Sequence, residues 1–133
     1  MKNANYDNKL SMILDIAKRS GVVMAHLGEE LGVDSSTIIN WKAGRHLPDD
    51  PEEVIATLRS RAKFLSKIDL NKYDIKNLKK DFGLTIAALA DEMEISHQGL
   101  SQQIEQDWPV ESRKQEAQEI LRAIGQNILD SSN

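Results

Sequence analysis

A chain of 133 residues has room for one ordinary domain or two very small ones. Its 40% hydrophobic and 29% charged residues, only 5% aromatics and three prolines favour helices over a β-sandwich, and zero cysteines exclude a disulfide framework, a thiolate metal site and a thiol nucleophile. The net charge of −4 argues against a non-specific nucleic-acid coat, but it is unevenly spread: residues 1–50 carry 6 basic and 7 acidic groups, 51–80 carry 8 and 4, and 81–133 carry 3 and 10.

Residues 1–8 and the tail Ser131-Ser132-Asn133 are polar and unpatterned and read as frayed ends. Leu10, Ile13, Leu14 and Ala17 recur at helical spacing, and Lys18 and Arg19 precede a closing Gly21, which marks a first helix. A second short helix runs through Val23, Leu27 and Leu31 to Gly32. A third starts at Asp34 or Ser35 and continues through Ile38, Ile39 and Trp41 to Gly44. After the breaker cluster Leu47-Pro48-Asp49-Asp50-Pro51, Glu52 and Glu53 suit the first turn of a fourth helix over 51–66. Asp69-Leu70-Asn71 reads as a junction, and Tyr73, Leu78 and Phe82 support a helix closed by Gly83. The pattern then restarts, with helices over 85–93 and 97–106, a break at Asp107-Trp108-Pro109, and a last amphipathic helix over about 110–129.

The run from Leu27 to Gly44 carries the most specific pattern. Leu27 and Leu31 suit the packed face of one helix, Gly32 a left-handed turn, Val33 the corner between helices, and Ile38 and Trp41 the anchors of the next helix. With Pro48 leading into the following helix, residues 22–48 resemble the Cro-like, phage-repressor helix-turn-helix family. The resemblance implies a sequence-specific regulator of phage or prophage type that binds a double-stranded DNA operator. Carried over position by position, it assigns base contact to Ser35, Ser36, Thr37 and Asn40 at the start of the second helix. Lys42 and Arg45 at its far end are assigned to the phosphate backbone. This chain departs from the family at Gly28, where Ala is usual and where glycine costs about 1 kcal/mol of helix propensity, and at Lys42, where Glu is usual. The bland alternative is a helical hairpin with a Gly-Val turn.

An internal repeat follows. Leu89 to Ser101 aligns with Leu27 onward at a fixed spacing of 62 positions (89 − 27). Residues 85–106 also resemble the helix-turn-helix of LysR-type regulators, without anything like their long effector domain. Glu94 stands where the turn glycine should be, and the surrounding charge is acidic. His97, Gln98, Ser101, Gln102 and Gln103 nevertheless form a polar face with no acidic member, a second face for DNA or for a protein partner.

The basic surplus of the middle segment includes Arg59, Arg61 and Lys63, which suit phosphate contact as well as a merely solvated helix face. Ala117, Ile120, Leu121, Ile124 and Ile128 make an apolar stripe that must be covered, either by a second copy in a homodimer or by the chain's own second unit, and a third option is that the two units of one chain read two half-sites without any dimer. His26 and Glu30, four apart, are the only pair at metal-ligand spacing, and alone they are a very weak signal. No nucleophile elbow, phosphate loop or paired-acid motif is present, so no enzyme activity, metal or cofactor is expected. The start MKNANYDNKL has no apolar leader, and no run approaches the roughly 18 apolar residues of a membrane span. The expectation is thus a cytoplasmic all-α protein with no membrane partner. Two small helix-turn-helix units, 9–67 and 72–129, are joined by a basic helical segment and closed by an amphipathic C-terminal helix. The competing class is a protein-interaction module or antitoxin-like adaptor that keeps the scaffold without reading DNA.

Overall fold

Apolar residues at three- and four-residue spacing dominate the chain, and each such run becomes a helix. A computed structural model describes residues 4–132, with side chains from residue 9 onward, and within them the fold is all-α. The helices are α1 Ala4–Arg19, α2 Met24–Leu31, α3 Ser35–Lys42, α4 Pro51–Leu65, α5 Leu78–Phe82, α6 Ile86–Glu92, α7 His97–Glu105 and α8 Glu111–Ser131. The ends read as frayed lie partly outside the described residues. Helix α1 already begins at Ala4, although residues 1–3 and Asn133 lie outside the described part. At the other end Ser132 is buried, its N–H donating to the carbonyls of Ile128 and Leu129 at 3.1 Å. The helix expected before Gly83 is split into a 3-10 turn, Ile75–Asn77, and α5, because the Asp74 carboxylate accepts the Lys76 N–H at 3.0 Å and starts a tight turn.

Caps fix several helix starts. Asp50 accepts from the Glu53 N–H at 3.1 Å ahead of Pro51, Thr85 from Ala88 at 3.1 Å, and Ser96 from Gly99 at 2.9 Å. Helices α2 and α3 are joined through Gly32 at φ +74°, and α6 and α7 through Glu94 at φ +57°, so the second pair makes the same left-handed turn without glycine. After the turn the Val33 N–H returns to the Gly28 carbonyl at 2.8 Å and the Ile95 N–H to that of Ala90 at 3.1 Å, equivalent bonds 62 positions apart. Gly28 is more than a weak helix former here: a Cβ on it would lie 2.5 Å from the Val33 carbonyl oxygen.

Packing turns on the last helix. Helix α8 makes its most extensive contact with α4 and also lies on α1 and α6. Ala117, Leu121, Ile124 and Ile128 are buried there, and Ile120 is half-buried against the same core. The stripe that sequence left open to a homodimer contact is therefore spent inside the chain, because α1, α4 and α6 cover it. Gly125 lets the α4 and α8 backbones meet: a Cβ would come within 2.5 Å of both the Ala62 carbonyl and the Ser66 nitrogen. The 68–71 junction is pinned as well, since the Leu70 N–H donates to Gln118 and the Arg122 Nε to the Ile68 carbonyl, both at 2.8 Å. One apolar cluster runs from Leu10 through Ile68 and Leu84 to Ile128, so residues 9–67 and 72–129 share a core.

The two helix pairs meet where Val22 and Leu84 form an isolated antiparallel bridge, with the Val23 N–H donating to the Gly83 carbonyl at 2.8 Å. Among the described residues no helix is long and apolar enough to cross a membrane.

Alanine normally strengthens a helix relative to glycine by about 1 kcal/mol. Here Gly28→Ala and Gly125→Ala are expected to reverse that sign, each lowering unfolding stability by about 1–3 kcal/mol through overpacking against a carbonyl. Glu94→Gly should raise it by up to about 1 kcal/mol by relieving the left-handed backbone. Urea unfolding followed by circular dichroism checks all three.

Candidate nucleic-acid interface

Helix α3 is fixed from beneath by Ile38 and Trp41, buried against α1 and α2. The period of 3.6 then directs Ser35, Ser36 and Ile39 outward, while Thr37 and Asn40 are half-buried at the edge of that face. Asp34 precedes the helix in extended conformation and makes no side-chain cap. The Asn40 Oδ1 accepts from the Arg45 Nη1 at 3.1 Å, which orients the carboxamide and leaves its NH2 donors unused among the described residues. Of the four residues assigned to base contact, the two serines are open to solvent and the other two sit at the margin.

The five cations assigned to phosphate contact differ sharply in availability. Arg45, Arg59 and Lys63 are exposed and make no ion pair among the described residues. Lys42 is half-buried with its Nζ 3.6 Å from Asp15, whose other oxygen takes Arg19 at 3.0 Å, and its carbonyl accepts from the Ser11 hydroxyl. Arg61 is a correction to the sequence reading. Its side chain is only 11% exposed, it is paired with Glu30, and it donates to the His26 Nδ1 at 2.9 Å, so it is not presented to a phosphate. Burial lowers the affinity of its guanidinium for its proton, and Glu30 opposes that shift. His26 then carries its own proton on Nε2 and donates to the Lys80 carbonyl at 2.6 Å. His26 and Glu30 thus share an arginine between them.

Lys63 also borders a concavity of about 500 Å3 lined by Phe64, Ile68, Lys67, Lys72 and Tyr73. Phe64 is 53% exposed at its mouth and packs edge-on to Tyr73, whose hydroxyl donates to Asp81 at 2.7 Å. Burial, then the Asp81 carboxylate, pushes the Tyr73 phenol above its ordinary range.

Helix α7 repeats the plan of α3. Leu100 and Ile104 point inward, while His97, Gln98 and Gln102 are exposed and Ser101 is half-buried. Gln98, Ser101 and Gln102 line a shallow concavity of about 310 Å3 that also includes Glu105 and Gln106. The polar face therefore does have an acidic member, because one further helical turn brings Glu105 under Gln102 and Ser101.

Two features escaped the sequence reading. Ile39, 40% exposed, is an outward apolar residue rather than part of the core stripe, and the Ile38-Ile39 doublet hid which of the two faces in. The Asn40–Arg45 bond spans five residues across a helix end, a spacing with no periodic signal.

Arg61→Ala should lower stability by about 1–2 kcal/mol, less than for a fully buried pair because the Glu30 side chain is 39% exposed and screened. Arg59→Ala and Lys63→Ala should each stay within about 0.5 kcal/mol of the parent protein. Thermal unfolding of the three variants separates the structural cation from the free ones. Comparison with known proteins finds no family model, no curated protein and no solved structure with a significant match to this chain.

Proposed function

We propose that this protein is a sequence-specific double-stranded DNA-binding transcription regulator, of phage or prophage repressor type, that lays α3 in the major groove of an operator. The observation that carries this reading is the surface of α3. Ser35 and Ser36 are exposed at its N-terminal end, and the half-buried Asn40 offers a carboxamide held by Arg45. Short hydroxyls serve base edges or phosphates, a carboxamide matches the donor and acceptor of adenine, and an exposed Ile39 suits a thymine methyl. Arg45, Arg59 and Lys63 are exposed cations that make no ion pair among the described residues, which is what counterion release needs.

A protein-interaction module remains the competing reading, and the half-exposed Phe64 beside the lysine-bordered concavity favours it. One experiment separates the two. Selection from a library of random duplexes at moderate salt should enrich a defined sequence. Asn40→Ala should then weaken binding to it roughly 5- to 150-fold and relax the preference at one base pair. Arg45→Ala should flatten the dependence of log K on log salt. If no sequence is enriched, the regulator reading is wrong and the adaptor reading stands.

A further inference from the structure

We infer that the single chain is a covalent pseudo-dimer, which engages a duplex with two unequal half-sites related by approximate twofold symmetry, α3 on one and α7 on the other. This rests on the DNA-binding reading above.

The spacing of 62 seen in sequence extends through the fold. It carries Met24–Leu31 onto Ile86–Glu92, Ser35–Lys42 onto His97–Glu105, and Pro51–Leu65 into Glu111–Ser131. Repetition alone would allow the units to sit in any relation, but the contacts between them select one. Val22 and Leu84, themselves 62 apart, pair with each other in antiparallel sense. Gly21 faces Ala88, where an added Cβ would lie 2.5 Å from the alanine Cβ, and Gly83 faces His26, where it would lie 2.9 Å from Nδ1. Gly21 and Gly83 are equivalent positions, and so are His26 and Ala88, so residue i of one unit meets residue j of the other and the reverse contact is also made. Helices α4 and α8, the third equivalent pair, pack on one another. A residue pairing with its own equivalent, and reciprocal contacts around it, are the marks of an isologous twofold interface, here built within one chain.

The chemistry of the outward faces follows the same relation. Asn40 of α3 corresponds to Gln102 of α7, and Ser36 to Gln98. Asn and Gln are the two side chains that match adenine bidentately, so both units present a carboxamide at the same place. The units are not equal. Glu105 stands where the first unit has Ala43, and Ile104 replaces Lys42, so the second face lacks the terminal cation and approaches phosphate against a like charge. The half-site under α7 should be the weaker one. Tethering compensates: once α3 is seated, α7 meets its half-site at an effective concentration in the millimolar range rather than by a second encounter. The internal position of the α8 stripe fits this scheme, because the chain needs no second copy to supply a second reading helix.

The test uses the full chain and the duplex enriched from the random library, with hydroxyl-radical footprinting and native mass spectrometry of the saturated complex. One chain per duplex, two protected patches and a Hill coefficient near 1 are expected. Gln98→Ala with Gln102→Ala should weaken base preference and protection in one patch only, Asn40→Ala should relax the preference at one base pair in the other, and each should weaken binding roughly 5- to 150-fold. Both α7 glutamines are exposed, and circular dichroism of the double variant confirms that the fold is intact. Two chains on a symmetric duplex, or a single patch insensitive to the α7 substitutions, overturns the pseudo-dimer while leaving the regulator reading in place. Failure to enrich any duplex sinks both.

Discussion

The approach of α8 to α4 at Gly125 is the constraint on which the remaining architecture depends. With no side chain on Gly125, the two helices touch backbone to backbone at Ala62 and Ser66, and the apolar stripe of α8 reaches down to α1 and α6. From that contact follow the pinned 68–71 junction, the burial of Ile124 and Ile128, and the sharing of one apolar core by both helix pairs. A small chain that must bury a large fraction of its surface gains more from one shared core than from two minimal ones. The cost is a position at which any added Cβ meets the neighbouring backbone.

Charge is arranged by the same packing. Arg61 on α4, Glu30 and His26 on α2 and the Lys80 carbonyl form a chain of polar contacts that ties the first helix pair to α4 and to the segment before Gly83. One cation of the basic middle segment is thereby consumed in structure. Arg59, Lys63, Lys67, Lys72, Lys76, Lys79 and Lys80 keep exposed side chains without internal ion pairs among the described residues. Local charge thus matters more than the net −4, because screened surface potentials act over about 8–10 Å rather than over the molecule.

The two turns show how one backbone geometry survives a change of residue. Gly32 takes positive φ at no steric cost, whereas Glu94 takes it against a penalty of about 1–2 kcal/mol. The second pair is held in that turn from outside, by Leu89, Met93 and Leu100 in the core and by the Ser96 cap. Asp107 and Trp108 repeat the device at φ +54° and +57°, where burial of the indole and the bond from the Trp108 N–H to the Gln103 carbonyl at 2.7 Å hold the chain. Buried neighbours and local hydrogen bonds together hold these turns, so none of them needs a glycine.

What the amino-acid order determined by itself was periodic and local: the all-α class, the position of nearly every helix and the repeat at 62, since helical spacing acts within a few residues, whereas Asp34, which suits an N-cap by residue type, makes no side-chain cap. The outward placement of Ser35, Ser36, Gln98 and Gln102 was legible for the same reason, once Ile38 and Leu100 were assigned inward. Tertiary structure alone decided what covers the α8 stripe, that Arg61 is spent on Glu30 and His26, and that equivalent residues meet across Val22 and Leu84. Each of these depends on which distant surfaces come together. Periodicity says that a face must be buried, and only the packed chain says against what.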